Sequence, residues 1–213
     1  MSVAFLLIAL FGLLLLGVPV AISLGVSAVA TMLIFTSYDI MGVPEIMLNG
    51  LKPALMAIPM FILAGSLMSK GSSAQRIVDF AKSIVGHLPG GLPMSAILAC
   101  IIFAAVSGSS PATVVAIGSV MFAALKAAGY PKSYSVGAIT SAGSLGILIP
   151  PSVVMIVYGV TAEVSIEKLF MAGVVPGLMI GGMMMLYAYI GARRLGFKST
   201  TPASFKERWS KFK

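Results

Sequence analysis

Ser107-Gly108-Ser109-Ser110-Pro111-Ala112-Thr113 is a run of small, hydroxyl-bearing, helix-breaking residues set inside a long apolar segment. Met94 to Val106 precede it, Val114 to Leu125 follow it, and from Ser83 to Leu125 only His87 can carry a charge. A second stretch of the same character comes soon after, from Ser141-Ala142-Gly143-Ser144-Leu145-Gly146 through Ile147-Leu148-Ile149 to Pro150-Pro151-Ser152. Burying polar, broken backbone is costly unless it finds partners. The two breaks are therefore expected to face each other and form one site.

The surroundings place that site in a membrane. The chain of 213 residues is 59% hydrophobic and 9% charged, with a mean hydropathy of +1.07, more apolar surface than a soluble core can hide. Charges fall in clusters, leaving uncharged spans over 1–38, 53–69, 83–125 (His87 apart) and 133–162. The net charge of +8 is no nucleic-acid footprint, because Arg193, Arg194, Lys198, Lys206, Arg208, Lys211 and Lys213 oppose only Glu207 at one end. The positive-inside rule puts that end in the cytoplasm of an inner membrane. Phe197, Phe205, Trp209 and Phe212 among these basic residues suit a segment lying on the anionic leaflet, a solvated connector being the alternative. The lone Cys100 reads as a small core hydrophobe, and the N-terminus lacks the basic region of a secretory signal.

Ser2 to Thr36 is apolar over about 35 residues, roughly 52 Å as one helix, against a bilayer core of about 30 Å. Gly17-Val18-Pro19 must therefore either kink one helix or divide two short spans. Tyr38 to Lys52, with Asp39 and Glu45, suits the outer face, and Pro53 suits the start of a span that crosses inward to about Met68. Ile77, Val78, Phe80, Ala81, Ile84 and Val85 recur at near-helical spacing among Lys70, Arg76, Asp79 and Lys82, which predicts an amphipathic interfacial helix ended by Pro89-Gly90-Gly91. Leu92 to Leu125 has basic flanks at both ends, so both ends belong on the cytoplasmic side. Each arm is about 22 Å long, too short to span, so the segment reads as a re-entrant hairpin with Ser107 to Thr113 at its tip. Ser133 to Ala162 crosses outward with a break at Pro150-Pro151, which frees carbonyls around Gly146 to Ile149. Glu163, Glu167 and Lys168 form an outer loop. Leu169 to Ala192 returns inward, with Gly173, Gly177 and Gly181 as a packing stripe, and the 15 methionines read as adaptable packing.

Helix halves broken at the midplane present free N–H groups to anions and free carbonyls to small cations. The tip adds the hydroxyls of Ser107, Ser109, Ser110 and Thr113. No carboxylate is embedded, so coupling to Na+ through neutral oxygens fits better than a proton relay. A serine hydrolase would need a buried His or Lys beside Ser107, Ser109 or Ser110, and the embedded segments supply neither. An assembly subunit without a site of its own is the other alternative, since it would also suit the glycine stripe and the interfacial helix.

Leu16-Gly17-Val18-Pro19-Val20-Ala21, Ala105 to Thr113, Gly129-Tyr130-Pro131 and Ser141 to Ser152, in this order and spacing, resemble the large membrane subunit of tripartite ATP-independent periplasmic (TRAP) transporters along essentially the whole chain. That subunit is about twice this length and consists of two inverted repeats, and this chain resembles the first. The resemblance implies an all-α membrane protein with one re-entrant hairpin and one broken helix, half of an inverted-repeat elevator-type transporter. It favours two short spans split at Gly17 to Pro19, with the N-terminus outside. The implied division is scaffold helices over 1–69, an interfacial arm helix over 70–91, and a transport unit over 92–162 (hairpin 92–127, broken helix 133–162). A transmembrane helix over 169–192 and a basic connector over 193–213 complete it.

By the same resemblance a sodium site would use Ser107 and Ser110 with carbonyls of Gly146, Ile149 and Pro151, and Ser109, Thr113 and Ser144 are the candidate substrate contacts. The cargo would be a small organic anion, such as a C4-dicarboxylate or sialic acid, moved with Na+ as coupling ion. The implied partners are the second half of the large subunit, a small four-helix membrane subunit, a periplasmic solute-binding protein and membrane lipid. The alternative within transport is half of a binding-protein-independent sodium–dicarboxylate symporter.

Overall fold

The structure is a computed structural model and describes residues 2–36, 42–50, 52–194 and 196. Among the described residues every regular element is a helix, the arrangement that satisfies backbone polar groups within each segment where water is absent. Among the described residues three stretches are long and apolar enough to cross a membrane, Pro53–Lys70, Ser110–Ala127 and Ile166–Arg194; Ser110–Ala127 is the second arm of the expected hairpin, and its 18 residues make it longer than the short arm expected from the sequence. The protein is an all-α, multi-pass membrane protein. Asp39 and the tail from Phe197 onward lie outside the described residues. The chain divides into two compact units, Met1–Lys52 and Pro53–Lys213.

In the first unit, α1 (Ser2–Leu15) and α2 (Val20–Phe35) are separate helices, not one kinked helix. Gly17 turns left-handed at φ +78°. Its N–H donates to Leu14 O at 3.0 Å and that of Val18 to Leu13 O at 3.1 Å, the paired bonds that close a helix at a glycine. Pro19, lacking an N–H, then opens α2. Phe5 meets Phe35 at 5.4 Å between ring centroids, so the two helices run antiparallel. Ser23, Ser27 and Thr31, spaced by four, are the buried residues of α2. Their hydroxyls return to carbonyls of the same chain segment, Thr31 Oγ1 donating to Ser27 O at 2.6 Å, so small side chains line the seam without leaving a donor unmet. A short helix, α3 (Val43–Gly50), follows.

The second unit begins with a 3₁₀ turn, Pro53–Met56, that leads into α4 (Ala57–Lys70). The predicted amphipathic helix is α5 (Ser73–Val85), and it buries Ala74, Val78 and Ala81. That stripe packs on α6 (Gly91–Ser107) and α7 (Ser110–Ala127). Its apolar face is thus covered by protein. α6 is the centre of the unit, touching α4, α5, α7, α8 (Lys132–Gly143) and α10 (Ile166–Arg194). Phe103, Ala96, Ala99 and Cys100 on it are fully buried, as expected of a helix apolar on every side. Cys100 is a free thiol inside this core. In the turn before α8, Tyr130 stacks on Tyr134 with centroids 5.7 Å apart. Burial, and then Tyr134 beside it, push the Tyr130 phenol up to about 12, so it stays neutral.

α10 runs for 29 residues, roughly 43 Å, and its glycine stripe sets how closely its neighbours approach. A Cβ on Gly173 would lie 2.6 Å from Leu148 O, one on Gly177 3.0 Å from Ile149 Cγ1, and one on Gly181 2.6 Å from Ile101 Cδ1. Gly182, by contrast, faces open space. Replacing Gly173 by leucine is therefore expected to lower stability by about 1–3 kcal/mol through overpacking, while Gly182→Leu stays near neutral. Thermal unfolding of the two purified variants in one detergent checks this, and equal melting temperatures would show that the stripe is not a contact.

Candidate functional site

α6 stops at Ser107 because Gly108 adopts φ +61°, and its N–H closes on Ala104 O at 3.0 Å. Ser109 is extended and Pro111 sits in the first turn of α7, so the chain reverses over two residues. The reversal carries a hydroxyl cluster. Ser107 Oγ lies 3.0 Å from Thr113 Oγ1, and Thr113 Oγ1 donates to Ser109 O at 2.8 Å. Both side chains are fully buried.

α8 ends at Gly143, tightens into a 3₁₀ turn over Ser144–Ile147, and resumes as α9 (Val153–Thr161). Pro150 and Pro151, joined by a cis peptide bond, stand where Gly146 and Ile147 would otherwise find their i+4 donors. Leu145 O takes the N–H groups of both Leu148 and Ile149, at 3.0 and 2.9 Å. Among the described residues the carbonyls of Gly146, Ile149 and Pro151 accept no hydrogen bond. Ser152 is buried and caps α9, accepting from Met155 N at 3.5 Å.

The two breaks meet. Val153 N donates to Gly108 O at 3.1 Å, and a Cβ on Gly108 would lie 2.7 Å from Pro151 O. A Cβ on Gly146 would lie 2.9 Å from Ser110 N, and one on Gly143 would strike Val114. From the opposite side Gly65 of α4 admits Ser107, whose Cβ would be 3.3 Å from a Cβ placed there. Glycine on each surface thus lets backbone approach backbone. Ile149 and Leu145 also abut Gly177 and Gly181 near the middle of α10, so the junction sits about halfway along the longest apolar helix.

Four chain ends converge here: the carbonyl ends of α6 and the 3₁₀ turn, and the N–H ends of α7 and α9. The first pair favours a cation and the second an anion. Among the described residues no three of His, Cys, Asp or Glu gather in one place, leaving hydroxyls and carbonyls as the donor set. Hard, weakly demanding cations take such oxygens.

Ser107, Ser109, Ser110, Gly146 and Pro151 are brought to the junction, Ile149 lying beside it with its side chain buried against α10. Thr113 turns its hydroxyl inward on Ser107 and Ser109. Ser144 is exposed, and its hydroxyl donates to Ser141 O at 2.6 Å. Sequence reasoning did not single out Gly65, or give Ser152 a role of its own. Ser152 had a readable signal, a serine between Pro-Pro and an apolar run, as at a helix N-cap. Gly65 had none, because its role exists only across the contact.

The family model described as "Tripartite ATP-independent periplasmic transporter, DctM component" matches residues 7–213. The chain is 43% identical to the C4-dicarboxylate TRAP transporter large permease protein of Rhodobacter capsulatus, covering 96% of this chain and 50% of that one. It is 41% identical to the ectoine TRAP transporter large permease protein of Halomonas elongata (94% and 48%). It is 37% identical to the 2,3-diketo-L-gulonate TRAP transporter large permease protein of Escherichia coli (100% and 50%). The chain spans about half the length of the curated relatives it matches.

Alanine at Gly108 pays for a left-handed backbone, about 1–2 kcal/mol, and in addition meets Pro151 O. Alanine at Gly129, φ +86° with open space around it, carries the first cost alone. Gly108→Ala is expected to melt below Gly129→Ala, and identical melting temperatures would show that tip and break do not touch.

Proposed function

The chain belongs to the DctM-component family of tripartite ATP-independent periplasmic transporters, a transporter family and not an enzyme family, and from that premise we propose that it forms the first inverted repeat of a large permease subunit that takes up small organic anions with sodium. The observation that carries this reading is the junction itself: the carbonyls of Gly146, Ile149 and Pro151 lack donors where the backbone of Gly108, Ser109 and Ser110 at the hairpin tip packs against the break. Such a set of neutral oxygens suits Na+. The ion is cargo, entering and leaving with the solute.

On this reading α6 and α7 are a re-entrant hairpin that opens toward the cytoplasm. Its support is the position of the tip near the middle of α10 and the common basic end formed by Lys126, Lys132, Arg193 and Arg194. The C-terminal tail is then cytoplasmic, in an inner membrane. The hairpin and the broken helix α8–α9 form the moving body of an elevator, with α5 as the arm to the scaffold.

The N–H ends of α7 and α9 suit a carboxylate. Dicarboxylate, ectoine and diketogulonate, solutes named for three relatives, carry a carboxylate, and isethionate, named for a fourth, carries a sulfonate, so an oxyanion group is the proposed common handle, with Ser109 at the start of α7 as a candidate contact. The partners are the second permease half, a small four-helix membrane subunit and a periplasmic solute-binding protein. Family membership favours this receptor-dependent scheme over a receptor-independent symporter.

Replacing Ser107 and Ser110 together by alanine is expected to weaken sodium activation of uptake by roughly tenfold or more, each lost polar partner contributing about 1 kcal/mol. The measurement is solute uptake against sodium concentration in proteoliposomes that hold this chain, the other permease half, the small subunit and the binding protein. An unchanged sodium dependence would refute the site and favour a purely assembling role.

A further inference from the structure

Between α6, α8 and α10 the second unit holds a groove of about 570 Å³ that the helix junction does not use. Gly137 and Ser141 of α8 form one wall, Ile180 and Met183 of α10 the other, and Ile97 of α6 the floor. α8 and α10 run antiparallel: Tyr134 Oη donates to Ala188 O at 3.4 Å at one end, and Gly181 faces Leu145 at the other. The groove is open to the side, since Met183 is 58% and Tyr187 71% exposed.

Its two ends differ in charge. Lys132 opens α8 beside Ser133 and Tyr134, and Arg193 and Arg194 close α10 at the same end, Arg193 lying 5.3 Å over the Tyr189 ring. α8 has no acidic residue, and the acid of α10, Glu167, sits in its first turn at the opposite end, roughly 39 Å away along the helix. An apolar slot with tyrosines at one mouth, and with cations there that make no ion pair among the described residues, matches an amphiphile whose head is anionic.

We propose that this groove seats one acyl chain of an anionic phospholipid, with the phosphate held among Lys132, Arg193 and Arg194. The small α8 wall leaves room for the chain, and Tyr134 and Tyr187 sit at the level where hydrocarbon gives way to headgroup. Charge complementarity selects the anionic lipid over a zwitterionic one of the same acyl composition.

The test is native mass spectrometry of the purified, delipidated chain titrated with phosphatidylglycerol or with phosphatidylcholine of matched chains. Phosphatidylglycerol is expected to bind at least tenfold more tightly, and Lys132→Gln with Arg193→Gln and Arg194→Gln to remove that preference. Gly137→Leu fills the slot at a position where a Cβ meets nothing within 4 Å, so it is expected to abolish the bound lipid without changing the melting temperature. Equal binding of the two lipids, or binding unaffected by Gly137→Leu, overturns the proposal. In permease assembled with its other half, Gly137→Leu is expected to reduce co-purified phosphatidylglycerol, and an unchanged lipid count would show the groove sealed by protein and overturn it as well.

Discussion

The second unit depends on one backbone contact, Val153 N–H donating to Gly108 O while Gly108 lies against Pro151 O. Two interruptions of helix in an apolar region are each unfavourable alone, because every peptide group left without a partner has no water to turn to. Brought together, each break supplies what the other lacks. The donor freed at the start of α9 finds the carbonyl freed at the end of α6. The carbonyls of Gly146, Ile149 and Pro151 stay unpaired, and together with the open N–H ends of α7 and α9 they give the junction its chemical character.

The glycines of the unit follow from that contact. Gly65, Gly143 and Gly146 surround the tip, and Gly173 and Gly177 receive the segment between α8 and α9. Each lies where a backbone or side-chain atom of a neighbouring segment comes within 3.3 Å of the missing Cβ. They are spread over α4, α8, the 3₁₀ turn and α10, so they are scattered in sequence but belong to one interface. This is how small residues bring membrane helices close in the absence of a hydrophobic drive between them.

Much of this was legible in the chain, for identifiable reasons. Pro150-Pro151 and Gly108-Ser109 break helices by local stereochemistry, so the breaks could be located from residue type alone. The amphipathic period placed α5, and the Gly17-Val18-Pro19 triplet located the interruption after α1, though those residues alone left a kink and a division equally open. What covers α5 was not legible, since an apolar stripe reads the same whether it meets lipid or α6. The inward turn of Thr113 onto Ser107 was hidden for a similar reason: a hydroxyl in a tip motif is equally compatible with a ligand or with its neighbour, and only the reversal angle set by Gly108 decides. The expected acidic loop over 38–52 holds a short helix instead, α3, with Glu45 in its first turn, and residues 37–41 and 197–213 lie outside the described structure.

The chain contains a single cysteine, and Cys100 lies at the centre of α6 with no exposed surface. A thiol so placed becomes alkylable only when the packing around it opens, so its labelling rate measures the free energy of separating α6 from its neighbours. The protein therefore carries a built-in reporter of core breathing. A second cysteine introduced on an exposed helix face would be the sole fast-reacting thiol while the core stays shut, with no need to remove the first.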